Sequence, residues 1–164
     1  AGLMGPNLNV FHLNNEQKVI AWHRWDQGGA GDDVVIVSNF RNQTWENYRI
    51  GLPRGGKWKV RFNSDATIYD EDYDGHPSWD VEAEPTPWDG LGWSAELSFG
   101  RYTTVMLSQS PPCLGDLNNS GVVDVNDVLL VISGWNTSEG DIDGDGMTGV
   151  EDLLLLLEGY GECP

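Results

Sequence analysis

The chain has 164 residues, a formal net charge of −17 and 26 acidic against 9 basic side chains. This charge excludes nucleic acid and anionic membrane surfaces as natural partners, because both would repel the chain. Its longest apolar runs hold about five residues, far short of the roughly 20 that a transmembrane helix needs, so no membrane span is expected.

The first part of the chain is predicted to form strands. Short runs rich in Val, Ile, Phe, Tyr and Trp alternate with turns marked by Gly, Asn and Asp, and no sustained helical period occurs. The predicted strands are 18–25, 33–40, 47–52, 57–62, 93–99 and 102–107, with a hairpin turn at 27–33. This pattern predicts a mainly β domain over residues 1–109, an antiparallel β-sandwich of Greek-key type whose inner faces form the core.

The same part resembles a known family. The segments GLMGPNLNVFHLNNEQKVIAWHRWDQGGAGDDVVIVSNF and ENYRIGLPRGGKWKVRFNSD are similar to the all-β C-terminal domain of the α-amylase clan, above all to its glucan branching enzymes. The resemblance implies an upstream (β/α)₈ catalytic barrel, in a parent that is a 1,4-α-glucan branching enzyme or an α-amylase-like glycoside hydrolase. Such a barrel needs roughly 200 to 250 residues, so we expect this chain to be a noncatalytic C-terminal fragment.

Four aromatic residues of this part are candidates for a sugar-stacking platform, because flat rings match the apolar faces of pyranoses. They are Trp45, Tyr48, Trp79 and Trp88. The alternative, which we favour, is that they fill the core or pack loops, as tryptophans in small sandwiches do. His12 and His23 lie in predicted strands and are interpreted as structural; with no GxSxG nucleophile motif in the chain, no catalytic residue is predicted.

An acidic stretch at residues 69–84 imitates part of a calcium-binding loop. Asp70, Asp72, Asp74 and Gly75 match positions 1, 3, 5 and 6 of such a loop, but position 12 is Val81. Because the closing carboxylate is missing, we interpret this stretch as solvated surface rather than as a metal site.

After a linker at residues 110–112, the part from 113 to 164 contains two twelve-residue stretches, 116–127 and 141–152, with one pattern of oxygen-bearing residues. Calcium prefers six to eight oxygen ligands from a sharply turning loop, and Gly121 and Gly146 at position 6 permit the turn. We therefore predict two bound Ca²⁺ ions; the alternative is two acidic surface turns without metal. The predicted ligands are Asp116, Asn118, Ser120, Val122, Asp124 and Asp127 in the first loop, and Asp141, Asp143, Asp145, Met147 and Asp152 in the second.

Val122 and Met147 would bind calcium through their backbone carbonyls, and water would replace the missing side chain at Gly149. An apolar run follows each loop, at 125–135 and 150–160, and is long enough for a short helix. Each run holds five consecutive apolar residues, so we expect each helix to be buried on several sides, mainly by the other repeat.

A duplicated calcium loop with an exiting helix and aspartate at position 12 resembles the dockerin family over residues 115–160. The resemblance implies calcium binding, and docking onto a cohesin module of a scaffold or cell surface. Loop positions 10 and 11, often Ser-Thr in cohesin-binding dockerins, are Val125-Asn126 and Val150-Glu151 here. Calcium binding therefore carries over residue by residue, whereas cohesin recognition does not.

Two cysteines, Cys113 and Cys163, bracket this small module. A disulfide between them would close a long loop and stabilise the module by about 3 to 5 kcal/mol; the alternative is two free thiols at its ends. A disulfide implies an oxidising compartment, so we expect a secreted or cell-surface protein.

Two other functions remain open at this point. The chain could be a stand-alone carbohydrate-binding protein, with α-glucan bound by the first domain and a calcium-stabilised tail that anchors it. The acidic module could also serve solely as a stable calcium-dependent terminus without a protein partner.

Overall fold

A computed structural model describes residues 2–118 and 120–163. The chain divides into two compact units, residues 1–110 and 111–164. Within the described residues, antiparallel strands predominate and two α-helices occur, both in the second unit, which confirms the prediction of a mainly β chain with a small helical part. Neither helix is long and apolar enough to cross a bilayer.

The first unit begins with a 3₁₀ turn at Gly2–Met4 and continues with eight strands in its described residues. The strands are β1 (Asn7–Asn14), β2 (Val19–Trp25), β3 (Val34–Asn39), β4 (Trp45–Leu52), β5 (Gly56–Asn63), β6 (Val81–Ala83), β7 (Trp93–Phe99) and β8 (Thr104–Ser108). Six of them form one antiparallel sheet in the order β1-β2-β3-β8-β5-β6, and β4 pairs with β7 in a second. The six predicted strands are confirmed to within two residues at most ends, and the predicted hairpin turn joins β2 to β3.

The core of the first unit takes side chains from both sheets. Successive side chains of a strand point to opposite faces, so β2 buries Val19, Ala21 and His23 while its intervening residues are partly exposed. The fully enclosed set spans β2, β3, β5 and β8 of the larger sheet and β4 and β7 of the smaller. It includes Val35, Val37, Ile50, Leu52, Trp58, Leu97, Phe99, Val105 and Leu107.

The second unit consists of two similar repeats. Its elements are β9 (Val122–Val123), α1 (Val125–Ser133), α2 (Val150–Glu158) and β10 (Gly161–Glu162). In the first repeat, Val123 pairs with Gly161, which follows α2. In the second, Thr148 exchanges backbone hydrogen bonds with Asn136 and Thr137, which follow α1. Each loop thus pairs with the segment that leaves the other repeat's helix.

Residues that the repeat makes equivalent also form the core of the second unit. Val131 of α1 and Leu156 of α2 are both 0% exposed, and the partly buried Val128 and Leu153 pack beside them. The expectation that each helix is buried on several sides is wrong, because Leu129 is 57% and Leu154 61% exposed. A nine-residue helix in so small a unit contacts neighbours along one narrow face.

Candidate metal centres

The first acidic loop is wound around the side chain of Asp116. One carboxylate oxygen of Asp116 accepts the backbone N–H of Ser120 at 2.9 Å, and the other accepts that of Gly121 at 2.8 Å. The Asn118 amide oxygen also accepts the Ser120 N–H, at 2.9 Å. Gly121 has a φ of 85°, which a residue with a Cβ rarely adopts. The glycine at position 6 therefore makes the turn that the sequence predicted.

The second loop repeats this arrangement around Asp141. Its carboxylate oxygens accept the backbone N–H groups of Gly144 at 2.7 Å and Gly146 at 2.8 Å. The structure brings Asp141, Asp143 and Asp145 together, with one oxygen of each within 4.8 Å of the others. Three carboxylates that converge in this way form an oxygen-rich cluster of the kind that Ca²⁺ prefers.

Mutual repulsion is evident in the second loop at Asp143. A hydrogen bond from the backbone N–H of Asp145 lowers the pKa of the Asp143 carboxyl, but partial desolvation and the charges of Asp145, Asp152 and Asp141 together raise that pKa above its usual value. A divalent cation between these carboxylates would remove the repulsion, because an opposite charge favours the ionised form. The residues of the second loop therefore fit a calcium ion.

Position 12 of the first loop has a second role that the sequence analysis did not include. The buried Asp127 carboxylate accepts three backbone N–H groups, from Leu117 at 2.9 Å, Asn118 at 3.2 Å and Asp124 at 2.9 Å. Burial raises the pKa of Asp127, but these hydrogen bonds outweigh it and lower the pKa overall. Asp127 thus ties the start of the loop to the first turn of α1.

Asp152 does the same in the second loop. Its oxygens accept the N–H groups of Ile142 at 2.7 Å, Asp143 at 3.1 Å and Gly149 at 2.6 Å, and the bonds from Gly149 and Ile142 lower its pKa. A carboxylate offers about four lone-pair sites, so three hydrogen bonds leave each of Asp127 and Asp152 roughly one site for a metal. The sequence carried a signal for this role, since an acidic residue three positions after a helix N-cap is a capping pattern.

The remaining predicted ligands of the first loop are used differently. Asp124 caps α1 by accepting the Asn126 N–H at 2.8 Å, and the Val122 carbonyl accepts the Ser120 hydroxyl at 3.0 Å. In the second loop the Met147 side chain is exposed, so its backbone carbonyl is the group available for a metal.

Cys113 and Cys163 are joined in a disulfide that spans 50 residues of sequence. Their sulfur atoms lie near the carboxylate of Asp116, but disulfide sulfurs are not thiolates and do not provide a thiolate metal site. The bond holds the two ends of the second unit together beside the first loop.

In the acidic stretch of the first unit, carboxylates are bound by other groups of the same unit. Both oxygens of Asp74 bind the guanidinium of Arg101, one of them at 2.8 Å from Nη2, and Asp65 accepts the backbone N–H groups of Asp74 and His76. The Asp74 charge is therefore balanced by an arginine, and Asp70, Asp72 and Asp74 are all exposed.

Fold and site together define a noncatalytic all-β domain joined to an acidic unit of two loop–helix repeats. Residues 11–110 match the family described as alpha amylase, C-terminal all-beta domain, and the chain belongs to that family. The catalytic part of these enzymes is a separate barrel domain, so this chain alone is noncatalytic.

Three relatives illustrate the similarity, each named 1,4-alpha-glucan branching enzyme GlgB. That of Marinobacter nauticus is 39% identical over 94 residues, which are 57% of this chain and 15% of the relative. That of Cupriavidus pinatubonensis is 35% identical over 97 residues, 59% of this chain and 13% of the relative. That of Corynebacterium jeikeium is 37% identical over 90 residues, 55% of this chain and 12% of the relative. The chain therefore spans less than a sixth of each.

Proposed function

We propose that this chain is the noncatalytic C-terminal part of an α-glucan-active enzyme of the branching or α-amylase type, and that its second unit is a dockerin-like module that binds two Ca²⁺ ions and docks or anchors the enzyme. The observation that carries the proposal is the junction, within one chain, of the alpha-amylase C-terminal domain with an acidic unit built as a duplicated loop and helix. The partner of the first unit is then an upstream catalytic barrel.

We also propose that the two sheets of the first unit form the predicted β-sandwich. Support comes from the shared core, in which Val35 and Leu107 of the larger sheet belong to one cluster with Ile50 and Leu97 of the smaller. A two-layer unit with a shared core suits a domain that braces a neighbouring barrel.

Calcium binding is supported by the charge and geometry of the loops. The second unit has 11 acidic residues and no basic ones, so its acidic groups find no internal lysine or arginine as counter-ion. A divalent cation would neutralise the three converging carboxylates of the second loop and reduce the repulsion at Asp143. Calcium would be held by the predicted oxygen ligands, with Asp127 and Asp152 contributing in addition to their backbone hydrogen bonds.

A docking role is supported by two equivalent apolar rows on the helices, which we call the paired rows. Each row has residues at spacing i, i+4 and i+7, on one helix face, and each of its side chains is more than half exposed. Exposed apolar side chains grouped on one face are typical of interaction sites. The paired rows are Val125, Leu129 and Ile132 on α1, and Val150, Leu154 and Leu157 on α2.

The second unit also supports a proposal for the compartment. A structural disulfide such as Cys113–Cys163 is stable in oxidising surroundings, which supports a secreted or cell-surface location. A cohesin-type module is the candidate docking partner that the dockerin resemblance suggests, although Val125-Asn126 and Val150-Glu151 stand where cohesin-binding dockerins often have Ser-Thr.

The proposal is tested by titrating Ca²⁺ into the oxidised, metal-stripped whole chain by calorimetry, with circular dichroism before and after addition of a chelator. We expect two ions per chain. Asp143→Ala should remove the second-loop ion, whereas Asp72→Ala, which removes a charge from the acidic stretch of the first unit, should leave both ions bound. No calcium binding by the unmodified chain, with helix content unchanged by chelator, would overturn the calcium module.

Docking is tested separately with a panel of cohesin modules. The double substitution Leu129→Asp and Leu154→Asp should abolish binding while two calcium ions remain bound. The matched control is Leu114→Asp, because Leu114 is a similarly exposed leucine of the same unit that lies outside the paired rows. Equal loss in both variants would argue against the paired rows as the docking surface.

A further inference from the structure

The first unit contains a cleft of about 220 Å³ lined by aromatic rings and polar side chains. Three of the four aromatic residues singled out in the sequence, Trp45, Tyr48 and Trp88, line it together, whereas Trp79 does not. The other lining residues are His12, Asn14, Gln17, Asn47 and Arg49. A concave site with aromatic walls and a few directed polar groups is the usual form of a small-molecule binding site.

Two lining residues of the cleft, His12 and Tyr48, belong to one chain of hydrogen bonds. Nδ1 of His12 lies 2.9 Å from a carboxylate oxygen of Asp89, and Nε2 lies 2.9 Å from the Tyr48 hydroxyl. Burial raises the pKa of Tyr48, a hydrogen bond with Asn14 opposes this rise, and the charge of Asp89 adds to it. His12 therefore joins Asp89 to Tyr48 through its two ring nitrogens.

The turn that carries Trp88 is connected to the same chain of hydrogen bonds through Asp89. Trp88 and Leu91 exchange backbone hydrogen bonds at 3.0 and 2.9 Å around Asp89 and Gly90, and both turn residues have positive φ, 54° and 78°. The second carboxylate oxygen of Asp89 accepts the Gly51 N–H of β4 at 2.9 Å. The backbone of Trp88 is therefore held in place, and the residue is 45% exposed.

Three other lining residues are also constrained by their own contacts. The Trp45 ring packs edge-on against Tyr48, with centroids 5.2 Å apart, and Tyr48 packs against the buried Phe99. Arg49 is anchored by Glu84 at 2.8 Å and Glu96 at 3.2 Å. Little side-chain ordering then remains to oppose binding, which favours affinity.

The polar groups at the cleft include unsatisfied hydrogen-bonding capacity. Gln17 uses its side-chain oxygen to accept the Asn14 amide at 2.8 Å, which leaves its own NH₂ group as a donor. Asn47 is exposed, and among the described residues no hydrogen bond of its side chain is found. Neutral amides and a half-exposed indole match a neutral polyhydroxylated ligand with apolar ring faces, which is the chemistry of a pyranose.

We propose that this cleft is a noncatalytic α-glucan-binding site, in which Trp88 stacks on a sugar ring and the amides of Asn47 and Gln17 hydrogen-bond its hydroxyl groups. The choice of α-glucan rests on the proposed function, while the preference for a carbohydrate rests on the cleft itself. An α-1,4-linked chain curves, whereas a β-1,4-linked chain is flat, and a concave cleft lined by two indoles fits the curved chain. The site would keep the enzyme on its polymeric substrate.

The test is binding of maltoheptaose and glycogen to the whole chain, followed by calorimetry and by affinity electrophoresis, with cellohexaose as the flat-chain control. We expect both α-glucans to bind and cellohexaose to bind at least about tenfold more weakly. Trp88→Ala should weaken α-glucan binding at least about tenfold, the scale expected for loss of one stacked ring. Trp79→Ala is the matched control, because Trp79 is 67% exposed and lies outside the cleft; it should bind normally.

Asn47→Ala is a second variant, in case Trp88→Ala fails to fold. The Asn47 side chain is exposed, and its substitution removes no internal hydrogen bond of the described residues. It should weaken binding about three- to tenfold with an unchanged melting temperature. The proposal is overturned if the unmodified chain binds neither α-glucan, or if Trp79→Ala loses as much affinity as Trp88→Ala. Calcium binding is measured on the same samples: calcium without glucan binding overturns this site alone, and glucan without calcium binding overturns the calcium module alone.

Discussion

A Cβ atom on Gly134 would lie 1.6 Å from the carbonyl oxygen of Glu139. Gly134 ends α1, and the chain folds back over it on its way to the second acidic loop. At the equivalent position of the other repeat, Gly159, the nearest atom would be the Leu156 carbonyl oxygen at 3.6 Å. Two glycines that the sequence repeat makes equivalent therefore differ in packing.

Gly134→Ala is expected to destabilise the second unit by roughly 1 to 3 kcal/mol, because the obstructing atom belongs to the backbone and cannot rotate away. Gly159→Ala is the matched control and should change the free energy of unfolding by less than about 0.5 kcal/mol. Both glycines have negative φ, −85° and −89°, so backbone strain does not contribute. Thermal unfolding followed by helical circular dichroism measures both; equal losses would contradict the packing argument.

Reduction of the Cys113–Cys163 bond should lower the free energy of unfolding of the second unit by about 4 kcal/mol, the loop-entropy value for a separation of 50 residues. Denaturant unfolding followed by helical circular dichroism, with and without reductant, measures the change, because both α-helices of the described residues lie in the second unit. Seven of the eight tryptophans lie in residues 1–110, so indole fluorescence follows mainly the first unit and serves as an internal control. An equal shift in both signals would contradict a stabilisation confined to the second unit.

The strands of the first unit could be predicted because their alternation is local. Val19, Ala21 and His23 face one side of β2, and that period of two is visible in the sequence. The separation of β4 and β7 into their own sheet could not be predicted, because pairs such as Trp45 with Phe99 join residues far apart in the chain. β6 has three residues, too few for an alternation to be recognised.

The loops of the second unit were predictable where one residue type has one physical role. Gly121 and Gly146 both adopt positive φ, 85° and 99°, as their place at loop position 6 predicts. The exposure of Leu129 and Leu154 was not predictable, because five consecutive apolar residues indicate burial all round. The sequence named three aromatic residues of the cleft as candidates but could not show that they line one cleft, because this depends on contacts between distant residues such as His12 and Asp89.

Stability at acid pH should depend on Asp32, which organises the turn between β2 and β3. One of its oxygens accepts the backbone N–H groups of Gly28 at 2.6 Å, Gln27 at 2.9 Å and Asp26 at 3.0 Å. The bond from Gly28 contributes most to lowering the pKa of Asp32, partial burial opposes it, and the other two bonds assist. Because the pKa of Asp32 is lower in the folded state, its ionised carboxylate stabilises the fold above the unfolded-state pKa of about 3.9. This stabilisation is lost as the pH falls through the folded-state pKa.

Asp32→Asn should therefore reduce the stability of the first unit at neutral pH and flatten its loss of stability below about pH 4. Urea unfolding followed by indole fluorescence, at several pH values from about 7 to about 3, measures this. Asp26→Asn is the control. It removes a carboxylate from the same turn, but Asp26 binds Asp32 through its backbone N–H, which the substitution leaves in place. A pH dependence that is the same in the Asp32 variant and the unmodified chain would contradict the role of Asp32.

The two acidic loops should differ in calcium affinity. The first loop offers three carboxylates, Asp116, Asp124 and Asp127, and the second offers four, Asp141, Asp143, Asp145 and Asp152. Calcium affinity increases with the charge of the ligand set, and in the first loop position 5 is the neutral Ser120, whose hydroxyl is directed to the Val122 carbonyl at 3.0 Å. The first loop should release its calcium first as a chelator is added.

Ser120→Asp should strengthen calcium binding by the first loop by about tenfold, because it raises the number of carboxylates in that loop from three to four, the number in the second loop. The matched control is Ser138→Asp, which adds the same charge at an exposed serine of the same unit outside the loops. Calorimetric titration of the whole chain, with Asp143→Ala in the background to silence the second loop, measures the first-loop affinity alone. If Ser138→Asp raised the affinity as much as Ser120→Asp, general charge rather than ligation would account for the gain; the structure predicts a gain for Ser120→Asp alone.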